Sequence, residues 1–404
     1  MQEKVLIVED SETYRNYLAS QIATLNYEVV QAKTYAQAKE IMQHETNFLC
    51  AVTDLCLPDA EDGEIVDLAH QYDLKVIVIT ANFDDQIRQH FIAKGIVDYI
   101  IKENISSVTY LLTLLNRLNK NKWHKALVVD DSRPIRHRLV QLLEHQYIRT
   151  VQAENGEQAI QKMKENPDIT FIITDHNMPV KDGITMTREL RRKYDRNQLV
   201  ILGLSGTESE SLTAKFLKAG ANDYLKKPFN QEELFCRVQN LLNMKDSSDE
   251  LYKMANQDSL TGLWNRRYLF QHADTSKEQC NVAMMDIDFF KKINDKFGHE
   301  GGDQALRTVS HIITIYFNDD LAARVGGEEF CVVNYGDFDS FVKRLEHLRT
   351  RIENTAIPFG NSEIRVTISI GATKAKRNID TMMSIADERL YQAKKSGRNQ
   401  LISS

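Results

Sequence analysis

At 404 residues the chain has the length of two to three ordinary domains, and its composition, 42% hydrophobic and 27% charged, is that of a globular protein. A net charge of −6 lacks the basic excess of a general nucleic-acid binder, and no apolar run approaches the roughly 18 residues that span a bilayer. The five cysteines have no CxxC spacing, which argues against a disulfide framework or a zinc site and fits a reducing compartment. The opening "MQEKVLIVED" turns acidic after one short apolar run, so no secretory signal is expected. The expectation is a cytoplasmic protein with no membrane and no nucleic-acid partner.

The first predicted strand, "VLIV", ends in Glu9 and Asp10, and the helix-period segment "SETYRNYLASQIATLN" follows it. Further strands end at Asp54 (after "FLCAVT"), Thr80 (after "VIVI") and Lys102 (after "DYII"). The same order then repeats. "KVLIVEDS" recurs as "KALVVDDS", "AVTDLCLPDAEDG" as "IITDHNMPVKDG", and "GIVDYIIKEN" as "GANDYLKKPF". Asp10 to Asp131 and Asp54 to Asp175 are both 121 residues, while Thr80 to Ser205 and Lys102 to Lys227 are both 125. The first half is therefore an internal duplication, expected over residues 1–121 and 122–245. Strands alternating with helices predict a doubly wound parallel sheet in each copy, with function gathered at the carboxyl ends of the strands.

Those ends bring together three carboxylates, a hydroxyl and a lysine in each copy. Clustered acids repel one another unless a hard cation such as Mg²⁺ sits among them. A metal and a lysine together can neutralise an incoming phosphoryl group while the hydroxyl reads it. Both copies resemble response-regulator receiver domains, of flavodoxin-like fold. The resemblance implies phosphorylation of Asp54 and Asp175 by a sensor histidine kinase. It implies metal binding by Glu9, Asp10 and Asp54 and by Asp130, Asp131 and Asp175. Its switch residues are Thr80, Tyr99 and Lys102, and Ser205, Tyr224 and Lys227. It also implies a cis Lys227–Pro228 bond, where the first copy has Glu103 instead of proline. The surface behind Tyr99 or Tyr224 is the expected relay, and it controls assembly if it forms a dimer contact.

After "LLNM" the chain turns polar, and residues 246–256 are expected to link to a third domain at 257–404. There "NVAMMDID" predicts a strand ending in Asp286 and Asp288, and "FFKKINDKFGHEGGDQAL" a helix closed by a Gly-rich turn and Asp303. "RVGGEEFCVV" predicts a hairpin whose Gly326-Gly327 supply positive φ. Asp286 and Glu328 can share Mg²⁺ if their strands are neighbours. Lys394 and Arg398, four apart, are expected on one face of the last helix. No GxxxxGK[ST] loop is present.

Four motifs in order, "DSLTGLWNRR", "DIDFFKKINDKFGHEGGD", "GGEEF" and "ADERLYQAKKSGRN", make this segment resemble the GGDEF domain of diguanylate cyclases, an α+β fold. The resemblance implies that two GTP become cyclic di-GMP and two pyrophosphates, with two domains facing each other in a homodimer. It assigns Mg²⁺ to Asp286, the Ile287 carbonyl and Glu328, and makes Glu328 the base. Guanine falls to Asn294 and Asp303, and phosphate contacts to Lys291, Lys394 and Arg398. One departure stands out: in the family's inhibitory RxxD motif, Asp320 is in place but Phe317 replaces the arginine. An apolar ring cannot make arginine's bidentate contacts, so product feedback is expected to fail. Two other readings, a silent GGDEF receptor and a phosphorelay scaffold, are opposed by the complete set of chemical residues.

Overall fold

The computed structural model describes residues 3–82, 84–103, 105–206, 210–274, 280–374 and 377–403, apart from the side chains of 210–212. It divides into two compact units, Met1–Ser248 and Asp249–Ser404.

In the first unit, the first receiver consists of β1 (Lys4–Val8), α1 (Glu12–Ala23), β2 (Glu28–Ala32), α2 (Tyr35–His44) and β3 (Phe48–Thr53). It continues with α3 (Glu64–Gln71), β4 (Val76–Thr80), α4 (Asp85–Ala93), β5 (Asp98–Ile101) and α5 (Ile105–Asn121). All strands are parallel, in the order β2-β1-β3-β4-β5. Because alternate strand residues face opposite ways, Leu6, Val8 and Ala51 enter one core, and Val5, Ile7 and Val52 enter the other. Helices cover both faces, which is why these strands read as unbroken apolar runs.

The second receiver repeats the plan with β6 (Lys125–Val129), α6 (Arg133–His145), β7 (Arg149–Ala153), α7 (Gly156–Glu165) and β8 (Phe171–Asp175). Then come α8 (Gly183–Leu190), β9 (Val200–Ser205), α9 (Glu210–Ala219), β10 (Asp223–Lys226) and α10 (Gln231–Asn256). The order is β10-β9-β8-β6-β7, the same plan as in the first copy. In each copy the strand order reverses at the first strand, opening a crevice at its carboxyl end. Residues 246–256, expected as a linker, continue α10 without a break.

The two receivers meet through polar contacts. Arg117 of α5, buried, donates from Nη1 to Asn243 Oδ1 (3.0 Å) and Asp246 Oδ2 (2.6 Å) on α10. His124 Nε2 lies 2.9 Å from the other oxygen of Asp246. Tyr147 Oη donates to the Leu49 carbonyl at 2.6 Å, and Arg88 of α4 pairs with Glu232 of α10.

The second unit carries β11 (Trp264–Asn265), α11 (Arg266–His272), β12 (Asn281–Ile287), α12 (Phe290–Tyr316), β13 (Leu321–Arg324) and β14 (Glu329–Asn334). It ends with α13 (Phe338–Glu353), β15 (Ile357–Phe359), β16 (Ser362–Ile364), β17 (Ile368–Lys374), α14 (Ile379–Lys395) and β18 (Leu401–Ile402). The main sheet runs β11-β13-β14-β12-β17-β18, with β12 antiparallel to both neighbours. The α12 segment is two helices joined at Gly298, whose φ of 71° and ψ of 175° no helix accommodates.

Two expectations fail here. Neither Gly326 nor Gly327 has positive φ; a Cβ at Gly326 would lie 2.4 Å from Glu329 Oε2, the mobile end of that side chain. Lys394 and Arg398 do not share a helix face. Gly397 at φ 118° and Arg398 at φ 66° end the helix, and the Arg398 N–H closes the turn on the Ala393 carbonyl at 3.0 Å.

Candidate functional site

In the first receiver, Lys102 Nζ donates to Glu9 Oε2 at 2.7 Å and also pairs with Asp54. Carboxylate oxygens of Glu9, Asp10 and Asp54 come within 4.8 Å of one another, a hard-oxygen set suited to a divalent cation. Burial pushes Glu9 above the usual carboxylate range, against the opposing pull of Lys102. Burial also works against the charge of Lys102, but its bonds to Asp54 and Glu9 outweigh it and raise its pKa.

The second receiver repeats this geometry: Lys227 Nζ reaches Asp130 Oδ2 at 2.8 Å and Asp175 Oδ1 at 2.7 Å. Asp131 is exposed, and among the described residues the close three-acid group is found in the first receiver and not in the second. Gly183 approaches the site so closely that a Cβ would lie 2.1 Å from the Asp175 carbonyl oxygen. The Lys227–Pro228 bond is cis, as expected. Sequence reasoning missed one feature that the two copies share. Arg15 Nη1 donates to the Glu9 carbonyl at 2.8 Å, and Arg136 Nη1 to the Asp130 carbonyl at 2.7 Å. Each arginine lies six residues after the first acid, and that spacing was the available signal.

Thr80 and Ser205 are buried at their strand ends. Tyr99 is turned inward, its Oη donating to the Asn82 carbonyl at 3.0 Å, while Tyr224 is half-buried against Phe216. The surface behind Tyr99, the expected relay, meets the second receiver. Tyr99, Arg88, Asp98 and Tyr110 share a cavity of about 440 Å³ with Glu232 and Phe235 of α10, so the same chain covers it.

In the second unit, β12 and β14 pair with Asp286 opposite Glu329, and the Ile287 N–H donates to the Glu328 carbonyl at 3.3 Å. The hairpin tip is thereby held against the end of β12. Asp286 is buried, and Lys394 Nζ lies 2.8 Å from its Oδ2. Burial raises the Asp286 pKa to about 6; Lys394 opposes the rise, and Glu328 and Glu329 add to it. Three carboxylates thus crowd one strand end and favour an added cation. Hard carboxylate oxygens of this kind suit a divalent cation.

Asn294 and Asp303 lie on opposite sides of the Gly298 kink. The fold brings Asn294 against Gly302, where a Cβ would lie 1.9 Å from Asn294 Oδ1. Lys291 is exposed in the first turn of α12. Two supporting roles escaped sequence reasoning, although both residues lie in quoted motifs. Arg324 ties the hairpin tip down, donating from Nε to the Gly327 carbonyl at 3.0 Å and from Nη1 to Asp258 Oδ1 at 3.0 Å. Asp288 accepts from Thr367 and Ser369 hydroxyls, both at 2.7 Å, and from the Asn399 N–H at 3.0 Å.

The altered inhibitory motif has a structural counterpart. Phe317 is 1% exposed and packs edge-on to Phe341 in the core. Arg344, from α13, lies 4.5 Å from its ring centroid and donates to Asp320 Oδ2 at 2.6 Å. Asn334 Nδ2 takes the other oxygen of Asp320 at 2.7 Å.

The response regulator receiver domain family matches residues 5–110 and 126–239, and the family "Diguanylate cyclase, GGDEF domain" matches residues 255–400. Response regulator PleD of Caulobacter vibrioides is 28% identical over 100% of this chain and 99% of its own length. Diguanylate cyclase A of Treponema denticola is 34% identical over 42% of this chain and 50% of its own. A crystal structure of a two-component system response regulator/GGDEF domain protein is similar with a TM-score of 0.57 and 36% identity, covering 61% of this chain and 100% of that one. The chain belongs to the response regulator receiver family, as a tandem-receiver protein with a GGDEF diguanylate cyclase output domain.

Proposed function

We propose that the protein condenses two GTP into cyclic di-GMP and two pyrophosphates, under control of phosphorylation at Asp54 or Asp175 by a sensor histidine kinase, in the cytoplasm. The observation that carries the cyclase reading is the junction of β12 and the hairpin, where buried Asp286, Glu328 and Glu329 meet beside Lys394. A bound Mg²⁺ would supply charge neutralisation and polarise the α-phosphate. Glu328 accepts the proton of the attacking 3′-hydroxyl, and its half-buried position at the tip leaves it within reach of substrate. Asn294 and Asp303 hold guanine, whose N1–H and amino donors a carboxylate accepts and adenine does not offer. Lys291, Lys394 and Arg398 carry the phosphates.

One domain holds one GTP in this reading, so a second copy is required. In the receivers, Glu9, Asp10 and Asp54, and Asp130, Asp131 and Asp175, would hold Mg²⁺, which would neutralise phosphoryl oxygens; Asp54 or Asp175 takes the phosphoryl group. Thr80 or Ser205 and Lys102 or Lys227 then turn to its oxygens.

The test is to incubate the purified protein with GTP and Mg²⁺, with and without beryllium fluoride as phosphoryl mimic, and to identify the product. Cyclic di-GMP with released pyrophosphate is expected, and more of it with the mimic. Recovery of unchanged GTP under both conditions refutes the cyclase reading; turnover indifferent to the mimic refutes the control.

A further inference from the structure

Phe289, at the turn between β12 and α12, has φ 56° and ψ 30°, a left-handed conformation that is a genuine outlier for a bulky residue. Core packing does not explain it, because the side chain is 50% exposed. Such strain persists where the surroundings require it, and it clusters at functional sites.

Its ring carries two cations. The Arg398 guanidinium carbon lies 4.3 Å from the ring centroid, and Lys292 Nζ lies 4.5 Å from it. Both distances are within the range of cation–π attraction. Among the described residues neither cation has a carboxylate partner, whereas the nearby Lys394 is paired with Asp286. Arg398 reaches the ring because two neighbouring residues grip two others: Asp288 accepts the Asn399 N–H at 3.0 Å, and Phe289 underlies Arg398. The backbone of Arg398, at φ 66°, is also left-handed. Two unusual backbones thus converge to hold an unneutralised guanidinium on an exposed ring, one residue before the first helical turn.

We propose that Phe289 is a positioning residue for the cyclase: it holds Arg398 and Lys292 as a preorganised cationic pair for the outer phosphates of the nucleotide triphosphate. Lys292 thereby joins the phosphate contacts. The inference rests on the cyclase reading, in which Arg398 meets phosphate. Without the ring, the arginine must be ordered at the moment of binding, and affinity falls by that ordering cost. The loss is one of uniform binding, so it is read in KM with kcat held.

The experiment uses the full chain with GTP and Mg²⁺. Phe289→Leu should raise KM for GTP by about 2- to 30-fold, the range that one to two cation–π contacts supply. Phe289→Trp, which keeps an aromatic face, should restore it. Phe289→Gly, which relieves the backbone and removes the ring, should behave like the leucine variant. GMP has no outer phosphates, so its inhibition constant as a competitor should be the same in parent and variants; a merely structural role would shift both. An unchanged KM for GTP in Phe289→Leu, a parallel loss for GMP, or no rescue by tryptophan overturns the proposal while the cyclase reading stands. Absence of any turnover by the parent protein overturns both.

Discussion

Asp246 of α10 divides its two oxygens between Arg117 at 2.6 Å and His124 at 2.9 Å, and so ties the second receiver's last helix to the first receiver. Burial alone would raise its pKa. The His124 hydrogen bond and the charge of Arg117 outweigh burial and hold it at about 2, against an ordinary 3.8. That interval, at about 1.36 kcal/mol per pH unit, corresponds to roughly 2 kcal/mol favouring the folded state at neutral pH. Burial also lowers the pKa of Arg117, so desolvation of the guanidinium offsets part of the gain and the figure is an upper value. The folded pKa lies below the unfolded one. The contribution is therefore complete above about pH 4 and is lost as the pH falls toward 2. Asp246→Asn removes the charge at nearly constant volume and leaves the Arg117 guanidinium buried. Hydrogen exchange read on peptides containing Arg117 and Asp246 measures the local opening free energy. At pH 7 the variant should exchange up to about 30-fold faster there, and at pH 3 the difference from parent should shrink. Arg117→Met combined with Asp246→Asn should cost less than the sum of the two changes. Equal exchange in parent and variant at pH 7, or additivity within about 0.5 kcal/mol, would refute the reasoning.

Other outcomes follow from the same geometry. Glu328→Gln should lower cyclisation by about 100- to 10,000-fold with an unchanged melting curve, since the residue sits at a hairpin tip; near-normal turnover ends its assignment as base. Micromolar cyclic di-GMP should not inhibit, because Arg344 and Asn334 occupy both oxygens of Asp320. Asp320→Ala should then lower stability, by about 1–3 kcal/mol, without changing a dose–response curve for product. Beryllium fluoride should raise both dimer fraction and specific activity, measured together by sedimentation and product formation, and the Asp54→Asn, Asp175→Asn double variant should lose both responses. Activity that rises at constant dimer fraction would point instead to rearrangement within a standing dimer.

The sequence by itself determined the duplication, the parallel sheets and the order of motifs, because these are local or periodic properties. Strands covered on both faces must be apolar throughout, and strand-end acids recur at constant spacing whatever the rest of the chain does. It also placed Asp286 and Glu328 on elements that could adjoin. Only the tertiary structure decided that β12 and β14 are neighbours with Asp286 opposite Glu329, since strand partners are chosen by packing across the whole sheet. The same holds for the pairing of Arg344 with Asp320, which are 24 residues apart on different elements. The two glycines of "GGEEF" were legible as a turn, but not the absence of positive φ at either of them. The spacing of Lys394 and Arg398 suggested a shared helix face, and a left-handed Gly397 between them moved the arginine into the loop over Phe289. Nor could a one-dimensional reading show that α10 covers the surface behind Tyr99, because a surface residue's neighbour is set by how the two receivers dock.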